Sequence, residues 1–298
     1  MKLRKWLTAL LLAAGVACVF GCSKMSGSDD AKKPEKKSEK QVDSPSEVLR
    51  KIISSIKNLE YDTVIKLSHG EQTKELQPGV ENVRSAKAAA RQGNKKAQRW
   101  LDEKKSALKN WQIDVKVEEI DGDLAGVYVV YSGHPAGMKL NGPKFECFEK
   151  VDGEWKWISY GDYTKAMLAK YPAPKGASPS EIVRRMVDAA KALNPYAAFN
   201  LSHGKEKAEA SKGFLGIINA KAAAYAGNEQ VKKKLDGFKS CNVEVKGETI
   251  DGDLAVVDVV VSGSPKGKNG PDKVYLKKVD GEWKIIKEEE YKREKSYR

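Results

Sequence analysis

An α+β fold built twice is what this sequence predicts: two tandem repeats, each of three helices packed on an antiparallel sheet of about four strands. The first observation behind it is a duplication. Ser44-Pro45-Ser46-Glu47-Val48 returns 134 residues later as Ser178-Pro179-Ser180-Glu181-Ile182, and the same interval carries Leu67-Ser68-His69-Gly70 onto Leu201-Ser202-His203-Gly204. The interval shortens to 130 where Ile120 to Ala125 matches Ile250 to Ala255, and to 128 where Val151 to Lys156 matches Val279 to Lys284, so the halves are collinear apart from two short deletions. The second observation is order. In each half, apolar residues at helical steps come first and β-branched or aromatic runs come last, the separated arrangement of α+β rather than alternating α/β folds. The third is the set of Asp-Gly pairs at 121–122, 152–153, 251–252 and 280–281, each between two such runs, where a tight hairpin turn belongs. A chain of 298 residues is ample for two domains, and two copies of a long repeat make globular domains rather than a solenoid.

From the start of the chain, residues 1–22 have the layout of a secretory signal: Lys2, Arg4 and Lys5 precede an apolar stretch from Trp6 to Phe20 that is short for a membrane span. Its end, Val19-Phe20-Gly21-Cys22, resembles the bacterial lipobox, which implies lipidation of Cys22 and membrane anchoring without a spanning helix. Ser23 after that cysteine resembles the sorting signal for the outer membrane of a Gram-negative cell. Residues 23–43 carry Lys, Asp, Glu, Ser and Pro with almost nothing to bury, which reads as a disordered charged tether. The first domain then covers 44–163, a linker with Pro172, Pro174 and Gly176 covers 164–177, the second domain covers 178–292, and a basic tail covers 293–298.

Within each repeat Pro45 and Pro179 suit a first helical turn, and Val48, Ile52, Ile56 and Val183, Val187, Ala190 give helix one its buried face. A short second helix is expected from Tyr61 to His69 and from Tyr196 to His203, stopping at Gly70 and Gly204, which enter the left-handed region freely. The third and longest helix has the stripe Val83, Ala86, Ala90, Gly93, Ala97, Leu101, matched by Ile217, Ala220, Ala224, Gly227, Val231, Leu235. The sheet covering it starts with the alternation of Ile113, Val115 and Val117. In the second repeat Val257, Val259 and Val261 face inward and Asp258 outward. Tyr128 is the outward counterpart of Asp258, and Tyr131 points inward.

Helices first, then a meander closing on Gly153-Glu154-Trp155-Lys156 and Gly281-Glu282-Trp283-Lys284, resembles the cone-shaped nuclear-transport-factor-2-like, or cystatin-like, domains of bacterial lipoproteins, over residues 44–163 and 178–292. The resemblance implies a curved sheet wrapped around a long helix with a cavity between them. It implies no single chemistry, because that superfamily holds enzymes, ligand carriers and interaction modules alike. Its isomerases and dehydratases place a carboxylate, a histidine or a tyrosine inside the cone for proton transfer, and Tyr131, His69 and His203 are the candidates here.

Other chemistries lack their signatures. Three histidines and, beyond Cys22, only Cys147 and Cys241 offer no paired metal ligands, and there is no phosphate-binding glycine loop or nucleophile elbow, so neither metal nor cofactor is expected. Cys147 and Cys241 fall at non-equivalent positions and read as two buried thiols or, alternatively, an interdomain bridge. His69 and His203, each before a glycine at the end of a short helix, read as caps on its free carbonyls or as pocket residues. The net charge is +13, with nine basic and two acidic residues between Arg84 and Lys109 and six against two between Lys212 and Lys239. These third helices present either a solvated face or a docking surface for anionic lipid or another envelope polyanion, while export disfavours nucleic acid. The expectation is a membrane-anchored, extracytoplasmic, non-enzymatic module that binds an envelope protein, an anionic surface or a small apolar ligand. The alternative is an isomerase- or dehydratase-like enzyme using the cavity of one domain.

Overall fold

Ser44 and Ser178 start the two units alike: each side chain accepts the backbone N–H three residues on, and in the first copy the Glu47 carboxylate returns a bond to the Ser44 N–H at 2.7 Å. The computed structural model describes residues 42–133, 141–263 and 269–298. In the first unit, α1 (Pro45–Lys57), α2 (Tyr61–Lys66), α3 (Gly70–Arg91) and α4 (Lys95–Leu108) precede β1 (Gln112–Asp121), β2 (Leu124–Ser132), β3 (Gly142–Val151) and β4 (Glu154–Ile158), and α5 (Tyr160–Lys170) follows. The second unit repeats this as α6 (Pro179–Lys191), α7 (Pro195–Asn200), α8 (Gly204–Tyr225), α9 (Glu229–Lys239), β5 (Asn242–Asp251), β6 (Leu254–Ser262), β7 (Gly270–Val279), β8 (Glu282–Ile286) and α10 (Glu288–Ser296). Each sheet is a four-stranded antiparallel meander in chain order. A register shift breaks the first strand of each at the same place, between Val115 and Val117 and between Val245 and Gly247.

The α+β class and the two four-stranded sheets are as expected; the helix count is not. The third helix is two helices in both copies, because Gly93 and Gly227 turn to φ +84° and +95°, and Asn94 and Asn228 then cap a new start by accepting from Ala97 N–H and Val231 N–H. The apolar stripe ran on without interruption because both pieces face the same core. A fifth helix, α5 or α10, follows each sheet, so the stretch read as a linker begins inside α5 and most of the basic tail lies in α10.

On the inner side of the first sheet, Val48, Leu49, Ile52 and Ile53 of α1 pack with Ala125, Val127, Val129 and Phe148. The second core matches it with Ile182, Val183, Met186 and Ala190 against Ala255, Val257, Val259 and Val261. Each such side chain contributes about 1.5–3 kcal/mol on full burial.

The outer face of the first sheet is covered too. Tyr128, Cys147 and Ile158 pack with Tyr163 and Met167 of α5 and with Tyr196, Phe214, Ile218 and Ala222 of the second unit. Tyr128 therefore points away from its own core yet is only 2% exposed. Its counterpart Asp258 stays at the surface and pairs with Lys273 at 3.5 Å. Cys147 lies buried in this joint and Cys241 in the second core, both as free thiols, so the interdomain bridge is excluded. Cys22, the signal segment and His134 lie outside the described residues. Among the described residues, no helix is long and apolar enough to cross a membrane.

Candidate functional site

Four positions on or beside the inner face of the first sheet distinguish the two units chemically. Trp111 stands just before β1, Tyr131 near the end of β2, Glu146 in β3 and Trp157 in β4. The strand registers place Cys241, Val261, Val274 and Ile285 at the equivalent points of the second unit. A period of two along each strand puts Tyr131 on the same face as Val127 and Val129, and Glu146 is paired with Val127, so both side chains enter the interior.

There they converge. The Tyr131 hydroxyl donates to Glu146 Oε1 and the Trp157 indole N–H donates to Glu146 Oε2, both at 3.0 Å. The Trp111 ring lies against Tyr131 with centroids 5.5 Å apart and planes tilted by 40°. Lys57 Nζ, at the end of α1, donates to the Trp111 carbonyl at 3.0 Å and ties that residue to the helix. Burial pushes the Glu146 carboxyl above the ordinary glutamate range, while the Tyr131 and Trp157 bonds and the Lys144 charge pull the other way without cancelling it. Burial, then the nearby carboxylate, likewise pushes the Tyr131 phenol up.

The two interiors also differ in closure. Tyr131 and Trp111 are buried, but Glu146, Trp157 and Leu76 of α3 reach solvent in part. Their smaller counterparts Val274, Ile285 and Ala210 are only 5%, 3% and 1% exposed. The larger side chains of the first interior are thus less covered than their counterparts in the second. Chemically, aromatic faces beside a carboxylate suit a cationic group, and a carboxylate next to a phenol suits proton transfer.

Of the residues singled out from the sequence, only Tyr131 is in this group. His69 and His203 do not cap the end of a short helix. The short helices stop at Lys66 and Asn200, and each histidine is the residue before a long helix, with no capping bond from its side chain. Its backbone N–H donates to the last strand instead, His69 to the Trp157 carbonyl at 2.8 Å and His203 to the Ile285 carbonyl at 2.9 Å. The N-terminus of each long helix is served by a carboxylate from beyond the sheet: Asp162 accepts from Glu71 N–H at 2.9 Å, and Glu290 accepts from Lys205 N–H at 3.3 Å. Glu146 was missed because it sits in a strand of alternating charges that resembles a solvated edge. The signal that marks it is the repeat itself, which sets a valine opposite it.

The chain matches no family profile and no curated protein. Among solved structures it is similar to a Campylobacter jejuni protein provisionally named an NTF2-like transpeptidase, with 16% identity and a TM-score of 0.24 over 37% of this chain and 100% of that one. That similarity is too slight to assign a fold family or an activity.

Proposed function

We propose that this chain is a lipid-anchored, extracytoplasmic binding protein, non-enzymatic, whose ligand site is the interior of a nuclear-transport-factor-2-like first unit. The observation that carries the reading is the convergence of Tyr131, Glu146 and Trp157 on the inner side of the first sheet, where the duplicate has Val261, Val274 and Ile285. The ligand class is a small molecule or exposed side chain bearing an ammonium or guanidinium group, which the carboxylate neutralises while the indole and phenol rings flank it. The exposed Lys95, Lys96, Arg99, Lys104 and Lys105 of α4 support a second contact, with anionic headgroups near the anchor.

Titration of the full-length protein with tetramethylammonium and guanidinium, followed by tryptophan fluorescence, tests the site. Saturable quenching is expected, weakened at least about tenfold for guanidinium by Glu146→Gln, because a charge-assisted bond is worth about 1.5–3 kcal/mol. No saturable response, or one indifferent to Glu146→Gln, refutes it. Metabolic labelling with palmitate tests the anchor: Cys22→Ser should abolish incorporation and release the protein from membranes. The 3.0 Å contact between Tyr131 and Glu146 favours a second reading, a proton-transfer enzyme. Glu146-dependent exchange of α-protons in small ketones, followed by NMR, would select it over simple binding.

A further inference from the structure

The joint between the units holds a cleft of ≈ 220 Å³, lined from the first unit by Tyr128, Phe145 and Tyr163 and from the second by Tyr196, Ile218 and Lys221, among others. We infer that this joint is a second ligand site, separate from the first-unit interior, for a small uncharged aromatic molecule carrying a hydrogen-bond donor.

Size comes first. Pockets for drug-sized ligands run to about 300–1,000 Å³, so this cleft suits one ring or a fused pair. The lining then selects the kind of molecule. Ring centroids follow one another at 4.8 Å from Tyr128 to Phe145, 5.5 Å to Tyr163 and 6.1 Å to Tyr196, all tilted or edge-on, the spacing in which aromatic groups attract. A further ring in the cleft continues that series. Charge is disfavoured because the ionic groups are already engaged. Glu119 accepts from Lys221 Nζ at 2.9 and 3.1 Å and from the Tyr225 hydroxyl at 2.8 Å, and Asp121 is held by Lys170 and the Tyr171 hydroxyl. An ion entering here would lose its hydration with no opposite charge left unpaired to replace it. A neutral donor still finds acceptors, since a carboxylate has about four lone-pair sites. The buried Tyr196 hydroxyl also has no well-formed hydrogen bond, only the nearby Tyr160 hydroxyl. Ala192 lines the cleft at an exposed position and forms part of its lip.

Neither unit holds the site alone. The first contributes the outer face of its sheet and the second its long helix, and the outer face of the second sheet carries Asp258 where the first has Tyr128.

Phenol and indole are the probes, titrated calorimetrically into the full-length protein. Saturable binding of at least one is expected, weakened about tenfold or more by Ala192→Trp, which plugs the lip from an exposed position and should leave the thermal midpoint unchanged. Ile218→Ala, which enlarges the cleft, should shift preference from phenol toward indole. Glu146→Gln should leave probe binding intact, so this site and the first-unit interior stand or fall separately. Lack of saturable binding by either probe, or binding within twofold of wild type in Ala192→Trp, overturns the inference.

Discussion

Glu146 is one side chain on which the difference between the duplicates turns. Its raised pKa fixes the sign of two expectations. Cation binding should weaken as pH falls, and the loss should begin above the range of an ordinary glutamate, measured by fluorescence titration across pH. Because the folded-state value exceeds the unfolded one, protonation favours the native state, so this residue's contribution to stability falls as pH rises through its folded pKa. Tyr131 was legible from strand alternation alone. Glu146 was not, since alternation assigns a face but not whether that face is dry, and a lone carboxylate among Lys144, Glu149 and Lys150 looks solvated. Gly204 makes a different point at the same scale. It takes φ +56°, and a methyl there would also collide with the Glu290 carboxylate. Gly204→Ala should therefore cost more than the about 1–2 kcal/mol of the left-handed conformation itself, read from denaturant unfolding.

Among the elements, the hairpins were the most legible. Asp152-Gly153 and Asp280-Gly281 adopt positive φ at both residues, as a two-residue turn between right-twisted strands requires. Helix ends were harder. Leu-Ser-His-Gly closes a short helix and opens a long one within four residues, so the same glycine serves as a stop in sequence and a start in space. Gly-Asn at 93–94 and 227–228 likewise passes unnoticed inside a periodic stripe, because a kinked pair of helices on one core preserves the spacing of apolar residues. The asparagine caps make this testable. Asn228→Ala should destabilise the second unit by about 1 kcal/mol, shown by a lower unfolding midpoint. The helices after the sheets gave little sign of themselves; α10 is short and highly charged and buries chiefly Tyr291.

At the scale of the molecule, the duplicates have diverged on the faces that are equivalent to those meeting at the joint. The α8 residues Ile218 and Tyr225 face the joint, while Arg84 and Arg91 stand at their places in α3; Tyr128 meets the second unit, while Asp258 faces water. Ile218→Arg, which copies the first unit's residue into the second, should part the two units without unfolding either, seen as faster amide exchange around Tyr128 with far-ultraviolet dichroism retained. Acid should act beside that contact, on the tie between the first sheet and α5. Burial raises the Asp121 carboxyl, but its bonds to Lys170 and Tyr171 and the lysine charge outweigh that and leave it lowered. Its stabilising effect is present above the unfolded pKa and is lost as pH falls through the folded one, so amide exchange in α5 should accelerate below the usual carboxylate range. The duplication made the two-part plan legible, but nothing in composition announced that the sheet's second face would be covered by the neighbouring repeat.

The placement of the two thiols gives the molecule a pair of internal gauges. Cys147 is shielded by residues of both halves, whereas Cys241 is enclosed by one half alone. The rate at which an alkylating reagent reaches the first clocks separation, and the rate at the second clocks melting of the distal half. A ligand wedged at the boundary would slow the former and leave the latter almost untouched.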